Sequence, residues 1–152
     1  MRHGTLPYRI LHDLDRRGLS VFKTAQVAKA HESAQNVSRA LRKLVDAGKI
    51  EGVTHGVYRV LSGRTPNLAF NRAWSSPGVD LPAEKTIAIT LARPTFLDVA
   101  RLCRAYGVER VRGVLRSLAS TGDVSPLLAS EWQHRLDNIQ RGFADAARHS
   151  TR

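Results

Sequence analysis

The sequence predicts a mainly α-helical chain, in which an N-terminal winged helix-turn-helix with a small β-hairpin wing precedes a C-terminal helical bundle. Apolar residues recur with helical spacing through most of the 152 residues. Around residues 49–61 the pattern changes to strand-forming residues with a central glycine, which is typical of a hairpin. Positive charge is concentrated in the same N-terminal region. Residues 1–64 hold 12 Lys and Arg against 5 Asp and Glu, which is +7 of the formal net charge of +11.

The composition excludes several classes of protein. Cys103 is the only cysteine, so the chain has neither an internal disulfide nor a thiolate zinc site. No apolar run reaches the roughly 18 residues that a membrane span needs, and the first residues lack the pattern of a signal segment. We therefore expect a cytoplasmic protein. Its excess positive charge favours a polyanionic partner, most simply nucleic acid, although such charge also serves to keep a small protein in solution.

Two helices are predicted before the basic segment. The spacing of apolar residues predicts a helix over residues 6–17, which Gly18 would end. A short apolar link at residues 21–22 leads to a second helix. Thr24 would cap this helix, which lasts to about residue 30.

The third predicted helix follows a brief turn at residues 31–32 and has two distinct faces. Ser33 caps it, and Gly48 ends it after about residue 47. Its apolar face consists of Val37, Ala40, Leu41, Leu44 and Val45. Its polar and mostly cationic face consists of Gln35, Asn36, Arg39, Arg42, Lys43 and Asp46. A short helix, a tight turn and a longer basic helix form a helix-turn-helix, whose second helix enters the major groove of DNA.

The polar face of this helix predicts contacts with DNA. The amides of Gln35 and Asn36 can pair with an adenine edge, and the guanidinium of Arg39 can pair with guanine. Arg42 and Lys43 suit phosphates. The alternative is that the face is only solvated, as polar helix faces usually are.

A β-hairpin is predicted directly after the basic helix. Val, Ile and Tyr in residues 49–61 favour strands, and Gly56 supplies a turn residue. A hairpin at this position is the wing of a winged helix. His55 at its tip and Arg59 on its second strand are placed to reach a phosphate or a minor groove, and the alternative for His55 is a plain turn residue.

The rest of the chain is predicted to be a linker followed by helices. Residues 65–82 are punctuated by proline and glycine, which divides the chain into a DNA-binding domain at 1–64, a linker at 65–82 and a helical domain at 83–149. The segment 83–92 fits either a helix or a strand, and we favour a helix with Pro82 in its first turn.

Three further helices complete the predicted bundle. The first has a capping-box-like start at Thr95, carries Phe96 on its inward face and ends at Gly107. The second covers about residues 108–120. Ser125 caps the last, whose apolar stripe consists of Leu128, Trp132, Leu136, Ile139 and Phe143.

Charged residues are expected on the outside of this bundle. Glu131–Arg135 and Asp137–Arg141 are spaced as i,i+4 pairs. Five arginines of the middle helices are predicted to face outward: Arg101, Arg104, Arg110, Arg112 and Arg116. They would extend a basic surface, meet an acidic protein or simply be solvated.

The sequence lacks the constellations that carry catalysis. The six histidines have no metal-ligand spacing, and there is no glycine-rich phosphate loop or Gly-x-Ser-x-Gly elbow. No pair of acids stands out within an apolar stretch. Cys103 lies on the inward face of its predicted helix, which favours burial over nucleophilic use. We therefore predict a protein that is not an enzyme and needs no cofactor and no metal.

Several stretches resemble a known family. Residues 21–28 (VFKTAQVA), 37–50 (VSRALRKLVDAGKI) and 56–60 (GVYRV) resemble the N-terminal winged helix of AbiEi-type antitoxins, which belong to type IV toxin–antitoxin systems. Residues 82–98 (PAEKTIAITLARPTFLD) and 106–112 (YGVERVR) look like small proteins paired with nucleotidyltransferase-like toxins.

The resemblance implies an antitoxin that represses its own operon by binding inverted repeats, with the helical half counteracting the toxin. By the match, the DNA-facing set is Thr24, Gln35, Asn36, Ser38, Arg39, Arg42 and Lys43. Together with the basic and wing residues, the candidate DNA-binding residues are Lys23, Thr24, Gln35, Asn36, Ser38, Arg39, Arg42, Lys43, Lys49, His55 and Arg59.

The predicted partners are therefore double-stranded operator DNA, a cognate toxin and a second copy of the chain on paired repeats, with no membrane. Two alternatives stay open. One is a stand-alone winged-helix repressor without a toxin, and the other is a protein-interaction module whose basic surface binds an acidic partner.

Overall fold

The structure, a computed structural model, describes residues 4–28, 33–69 and 81–150. Its elements are, in chain order, α1 (Leu6–Arg16), β1 (Val21–Lys23), α2 (Thr24–Ala28), α3 (Ala34–Asp46), β2 (Ile50–Thr54), β3 (Val57–Val60), α4 (Ala83–Ala92), α5 (Phe96–Tyr106), α6 (Val108–Thr121) and α7 (Pro126–Ser150). This order confirms the predicted fold class, a winged helix-turn-helix followed by helices. The predicted end of the second helix at residue 30 and the turn at residues 31–32 lie outside the described residues.

The chain divides into two compact units. Unit 1 contains Met1–Leu61 and Phe143–Arg152, and unit 2 contains Ser62–Gly142. Residues 62–64 group with unit 2, and the end of α7 groups with unit 1. The independent folding of domains 1–64 and 83–149 stays a prediction.

Unit 1 has an apolar core between its helices and one face of its sheet. The fully buried residues of this core are Ile10, Leu14, Phe22, Val27, Val37, Ala40, Leu41, Leu44 and Ile50. Each large apolar side chain contributes roughly 1.5–3 kcal/mol by leaving water. The ring of Tyr58 stacks on that of Phe22, with 5.8 Å between centroids. The core therefore fixes α3 and the sheet relative to each other.

The sheet has three antiparallel strands in the order β1-β3-β2. Phe22 pairs with Tyr58, and Tyr58 pairs on its other side with Gly52. The predicted apolar link at residues 21–22 is therefore wrong, because these residues form strand β1. Three residues are too few to show strand periodicity, and β1 becomes a strand only by pairing with β3.

Two residues predicted to face inward are exposed. Val45 is 41% exposed, because it lies about a quarter turn away from the stripe of Val37, Leu41 and Leu44. Phe96, the first residue of α5, is 53% exposed. Helical spacing alone does not say how wide the buried face is.

In unit 2 the ambiguous segment 83–92 is the helix α4, with Pro82 as its N-cap. The hydroxyl of Thr90 is buried and donates to the carbonyl of Thr86 at 2.7 Å, which allows a polar side chain inside an apolar layer. The predicted caps of α5 and α7 are confirmed. The hydroxyl of Thr95 accepts the Asp98 N–H at 3.3 Å, and that of Ser125 accepts the Leu128 N–H at 3.2 Å.

The described part of the predicted linker packs on α5. The Ala69 N–H donates to the buried carboxylate of Asp98 at 2.7 Å, and the Arg101 guanidinium donates to the Asn67 carbonyl at 2.9 Å. Residues 65–69 thus group with unit 2 and are held to α5 by these two bonds. Residues 70–80 of the predicted linker lie outside the described residues.

Several outward-facing charges of the bundle have partners that the sequence did not predict. Glu131 and Arg135 form the expected ion pair at 2.5 Å. Asp137, however, pairs with Arg112 at 2.9 Å, while Arg141 donates to Asn138. The predicted Asp137–Arg141 pair is therefore wrong, because α6 supplies a partner for Asp137 from across the helix interface.

Arg110 and Arg112 are not an open basic surface. Arg110 forms an ion pair with Glu84 of α4. The side chain of Arg112 is only 16% exposed and also bonds to Gln133 and Gln140. Cys103 is fully buried, in agreement with its predicted inward position.

Candidate nucleic-acid interface

The N-terminus of α3 is set by a side-chain cap. The Ser33 hydroxyl accepts the Asn36 N–H at 3.5 Å, so Gln35 and Asn36 lie in the first turn, where the prediction put them. The inward face of α3 is buried through Val37, Leu41 and Leu44. Burial of this face leaves the opposite face of the helix in solvent.

The solvent face of α3 carries every polar candidate that the sequence singled out on this helix. Exposed are Gln35, Asn36, Ser38, Arg39, Arg42 and Lys43. Gln35, Arg39 and Arg42 follow one another at i, i+4 and i+7, so they form one row along the helix. With a rise of 1.5 Å per residue, this row is about 10 Å long, which matches roughly three base pairs of DNA.

The charge on this face has one sign over most of its length. Arg39, Arg42 and Lys43 supply three exposed cations, and the acidic Asp46 stands at the C-terminal end of the helix. Among the described residues, none of the ion pairs involves these three cations. Their charge is therefore available to an external anion.

The tip of the wing is hydrogen-bonded to the start of α2. The Thr24 N–H and the Thr24 hydroxyl both donate to the Gly56 carbonyl, at 2.9 and 3.3 Å. Gly56 adopts φ of +69°, a conformation that favours glycine. Thr24 is half-buried and is the first residue of α2 rather than the predicted cap before it, and its hydroxyl holds the wing. The Gln26 side chain instead accepts the Lys23 N–H at 2.7 Å.

Three further candidates are exposed around this helix-turn-helix. Lys23 lies beside the wing tip, because it pairs in register with Val57 at the start of β3. His55 is exposed in the turn of the wing. Lys49 is exposed at the start of the wing, where its backbone bonds to Leu44 and Leu61. The fold therefore places cationic side chains at both ends of the hairpin.

Arg59 does not belong to this exposed set. Its side chain is only 8% exposed and forms an ion pair with Glu51 at 2.6 Å. Its guanidinium carbon lies 4.0 Å from the centre of the Phe143 ring. Alternation along β3 sends Tyr58 towards the core and Arg59 to the opposite face, which Phe143 of α7 covers. The expectation that Arg59 reaches a phosphate or a minor groove therefore fails.

The sequence contained no signal for this burial. Phe143 was predicted as part of an apolar stripe on the last helix, but its contact with Arg59 joins residues far apart in the chain. The sequence pattern of a wing strand does not distinguish a buried basic residue from an exposed one.

The described residues hold no group of three or more His, Cys, Asp or Glu side chains that could bind a metal ion. Among these same residues, no helix is both long enough and apolar enough to span a membrane.

Comparison with known proteins agrees with this geometry. Residues 9–61 match a family model described as a transcriptional regulator, AbiEi antitoxin. No curated protein and no solved structure matches the chain. The matched segment runs from α1 to the end of the wing, and it includes all the candidate residues. Residues 9–61 of this chain are thus similar to the AbiEi antitoxin family of transcriptional regulators.

Proposed function

We propose that the chain is a DNA-binding antitoxin that represses its own operon. The observation that carries the proposal is the one-sided face of α3, where amide and cationic side chains are all exposed while the opposite face is buried. A helix of this kind fits the major groove, which is about 12 Å wide. The match to a transcriptional regulator family supports the same use.

The proposed interface divides its work between bases and phosphates. Gln35 and Asn36, in the first turn of α3, read an adenine edge, and Arg39 reads a guanine. Phosphate contacts fix the position of the helix on the duplex. The residues assigned to phosphates are Arg42, Lys43, Lys23, Lys49 and His55. Ser38 lies on the flank of α3 and can donate its hydroxyl to the backbone.

DNA binding would be driven largely by the release of counterions. Each phosphate that a Lys or Arg neutralises contributes about 0.9 to the slope of log K against log salt. Contacts from Arg42, Lys43, Lys23 and Lys49 would therefore give a slope of roughly −3 to −4 per protomer. Two protomers on inverted repeats would double this slope.

The test is binding of the full-length chain to DNA from upstream of its own gene, measured by fluorescence anisotropy at several salt concentrations. Shuffled DNA of the same length and composition is the control. We expect tighter binding to the upstream DNA and a steep salt dependence. Equal binding to both sequences would overturn the operator assignment, and no binding at moderate salt would overturn the DNA function altogether.

The antitoxin part of the proposal has a separate test. We propose a nucleotidyltransferase-like toxin, encoded next to this gene, as the protein that the chain counteracts in the cytoplasm. Expression of that neighbour should arrest growth, and co-expression of this chain should restore growth. Failure to restore growth, with DNA binding intact, would make the chain a stand-alone repressor. Co-purification with the neighbour and no binding to DNA would make it a protein-interaction module.

A further inference from the structure

Arg59 occupies the centre of the wing sheet on the face away from the core. It stands directly opposite Glu51 on β2 and opposite Val21 on β1. The Glu51 carboxylate accepts from the edge of the guanidinium at 2.6 Å, and the Phe143 ring covers the guanidinium plane at 4.0 Å. A planar guanidinium can make both contacts at once, whereas the ammonium of lysine has neither a flat face nor a forked edge.

We propose that Phe143, at the C-terminal end of α7, is a positioning residue for DNA binding that acts on the wing through Arg59. The C-terminal end of α7 is then a working part of the DNA-binding unit, although it lies outside the segment that matches the family. The inference rests on the proposed function, since it assigns Phe143 a role in the same DNA interface.

The wing needs such a support because its two strands are irregular. A register shift between Gly52 and Thr54 interrupts the pairing of β2 with β3 near the tip. Bulges of this kind increase local twist and bend a strand. The cross-strand pair of Glu51 and Arg59 lies next to this shift and ties β2 to β3, and the Phe143 ring excludes water from the pair. The strength of the pair, and with it the angle of the wing, depends on this shielding.

Loss of Phe143 should leave the rest of unit 1 in place. The core of the unit lies on the other face of the sheet, around Phe22, Ile50 and Leu44. The Ser33 cap and the buried face of α3 are also independent of Phe143. Without the Phe143 ring, the ion pair of Arg59 and Glu51 should weaken and the wing, with His55 at its tip, should become more mobile. Base contacts from α3 should persist.

The experiment compares Phe143→Ala, Phe143→Leu and Phe143→Tyr in the full-length chain. We expect Phe143→Ala to lower the affinity for upstream DNA by about tenfold and to reduce the salt slope by about one, because a phosphate contact at the wing is lost. Its preference for upstream over shuffled DNA should persist. Phe143→Tyr keeps a ring over Arg59 and should bind as the wild type does.

Phe143→Leu tests whether Arg59 needs an aromatic ring above it or only an apolar side chain of similar size. It fills most of the space but offers no π face, so it should resemble Phe143→Ala. Binding of Phe143→Leu at wild-type strength would overturn the role of the ring. A weaker affinity of Phe143→Ala with an unchanged salt slope would indicate only a smaller folded fraction, and it would overturn the positioning role.

Two comparisons keep this inference separate from the proposed function. Leu127→Ala changes an 82% exposed residue at the other end of α7 and should bind as the wild type does. If the wild type itself fails to bind upstream DNA, the proposed function fails. If the wild type binds and Phe143→Ala binds equally well, only the positioning role of Phe143 fails.

Discussion

Arg39 and Lys43 are neighbours on the exposed face of α3, but we propose different roles for them. In the proposed interface Arg39, one turn after Gln35, reads a base edge, whereas Lys43, one turn further along α3, contacts the phosphate backbone. We expect Arg39→Ala to cost about 1–3 kcal/mol of binding and to relax the preference at one base pair. Lys43→Ala should weaken binding to all sequences alike and lower the salt slope by about one.

The measurement for this pair is affinity against a set of operators that each carry one changed base pair. If Arg39→Ala lowers the affinity for every operator equally, Arg39 contacts a phosphate and does not read a base.

Thr24 was predicted as a helix cap and a DNA contact, and the structure makes it a support for the wing. Thr24→Val keeps the shape and the backbone bond but removes the hydroxyl bond to Gly56. We expect it to lower the free energy of unfolding by about 0.5–1.5 kcal/mol in urea denaturation. Ser38→Ala removes an exposed hydroxyl of α3 and should change stability by less than about 0.5 kcal/mol. Equal effects of the two changes would argue against the Thr24 bond.

At the scale of elements, the helices and the hairpin could be predicted because their signals are local. Ser33, Thr95 and Ser125 cap helices through residues three positions away, and glycines such as Gly48 end them. The exposure of the candidate residues on α3 could be predicted as well, because burial of the apolar face of a helix leaves its opposite face in solvent.

Features that depend on distant residues could not be predicted. β1 exists through its pairing with β3, and Arg59 is buried by Phe143 from the far end of the chain. Asp137 forms its ion pair with Arg112 and not with Arg141, because α6 places the Arg112 guanidinium next to it. In each case the deciding partner comes from another element, about which local periodicity says nothing.

Arg112, at the interface of α6 and α7, is one such partner, and its role can be tested. Arg112 is mostly buried and bonds to Glu109, Asp137, Gln133 and Gln140. We expect Arg112→Ala to lower the free energy of unfolding by about 1–3 kcal/mol, because those acceptors lose a charged donor. Arg116→Ala, one turn further along α6 and exposed, should change it by less than about 0.5 kcal/mol. A result with Arg116 as costly as Arg112 would contradict this network.

The ion pair that joins α4 to α6 predicts a pH effect of defined sign. The hydrogen bond from Arg110 holds the pKa of Glu84 below its usual value of 4.5. A carboxylate with a lowered pKa stabilises the folded state above its unfolded pKa, and this stabilisation is lost as pH falls through the folded pKa. The contribution is small because both side chains are largely exposed.

NMR titration of the Glu84 side chain should therefore give a pKa below 4.5 in the wild type. Arg110→Gln should return this pKa towards its usual value. An unchanged Glu84 pKa in that variant would show that Arg110 is not the cause.

At the scale of the whole molecule, the cations that give the net charge of +11 include some that are paired with acids and some that face solvent. In unit 2, Arg110 and Arg112 are neutralised by acids on neighbouring helices. In unit 1, the cations of α3 face solvent on one side of one helix. The proposed function therefore depends on where the charge lies, whereas total charge alone would predict equal effects from any three cations.

This distinction gives the most direct test of the central claim. Arg39, Arg42 and Lys43 are changed together to alanine, and a charge-matched variant changes the exposed Lys85, Arg104 and Arg116 of unit 2 to alanine. Affinity for upstream DNA is measured for both at one salt concentration, after circular dichroism confirms that both are folded. We expect a loss of at least about 100-fold for the α3 variant and a change within about threefold for the matched variant. Equal losses in the two variants, or wild-type binding by the α3 variant, would contradict the central claim.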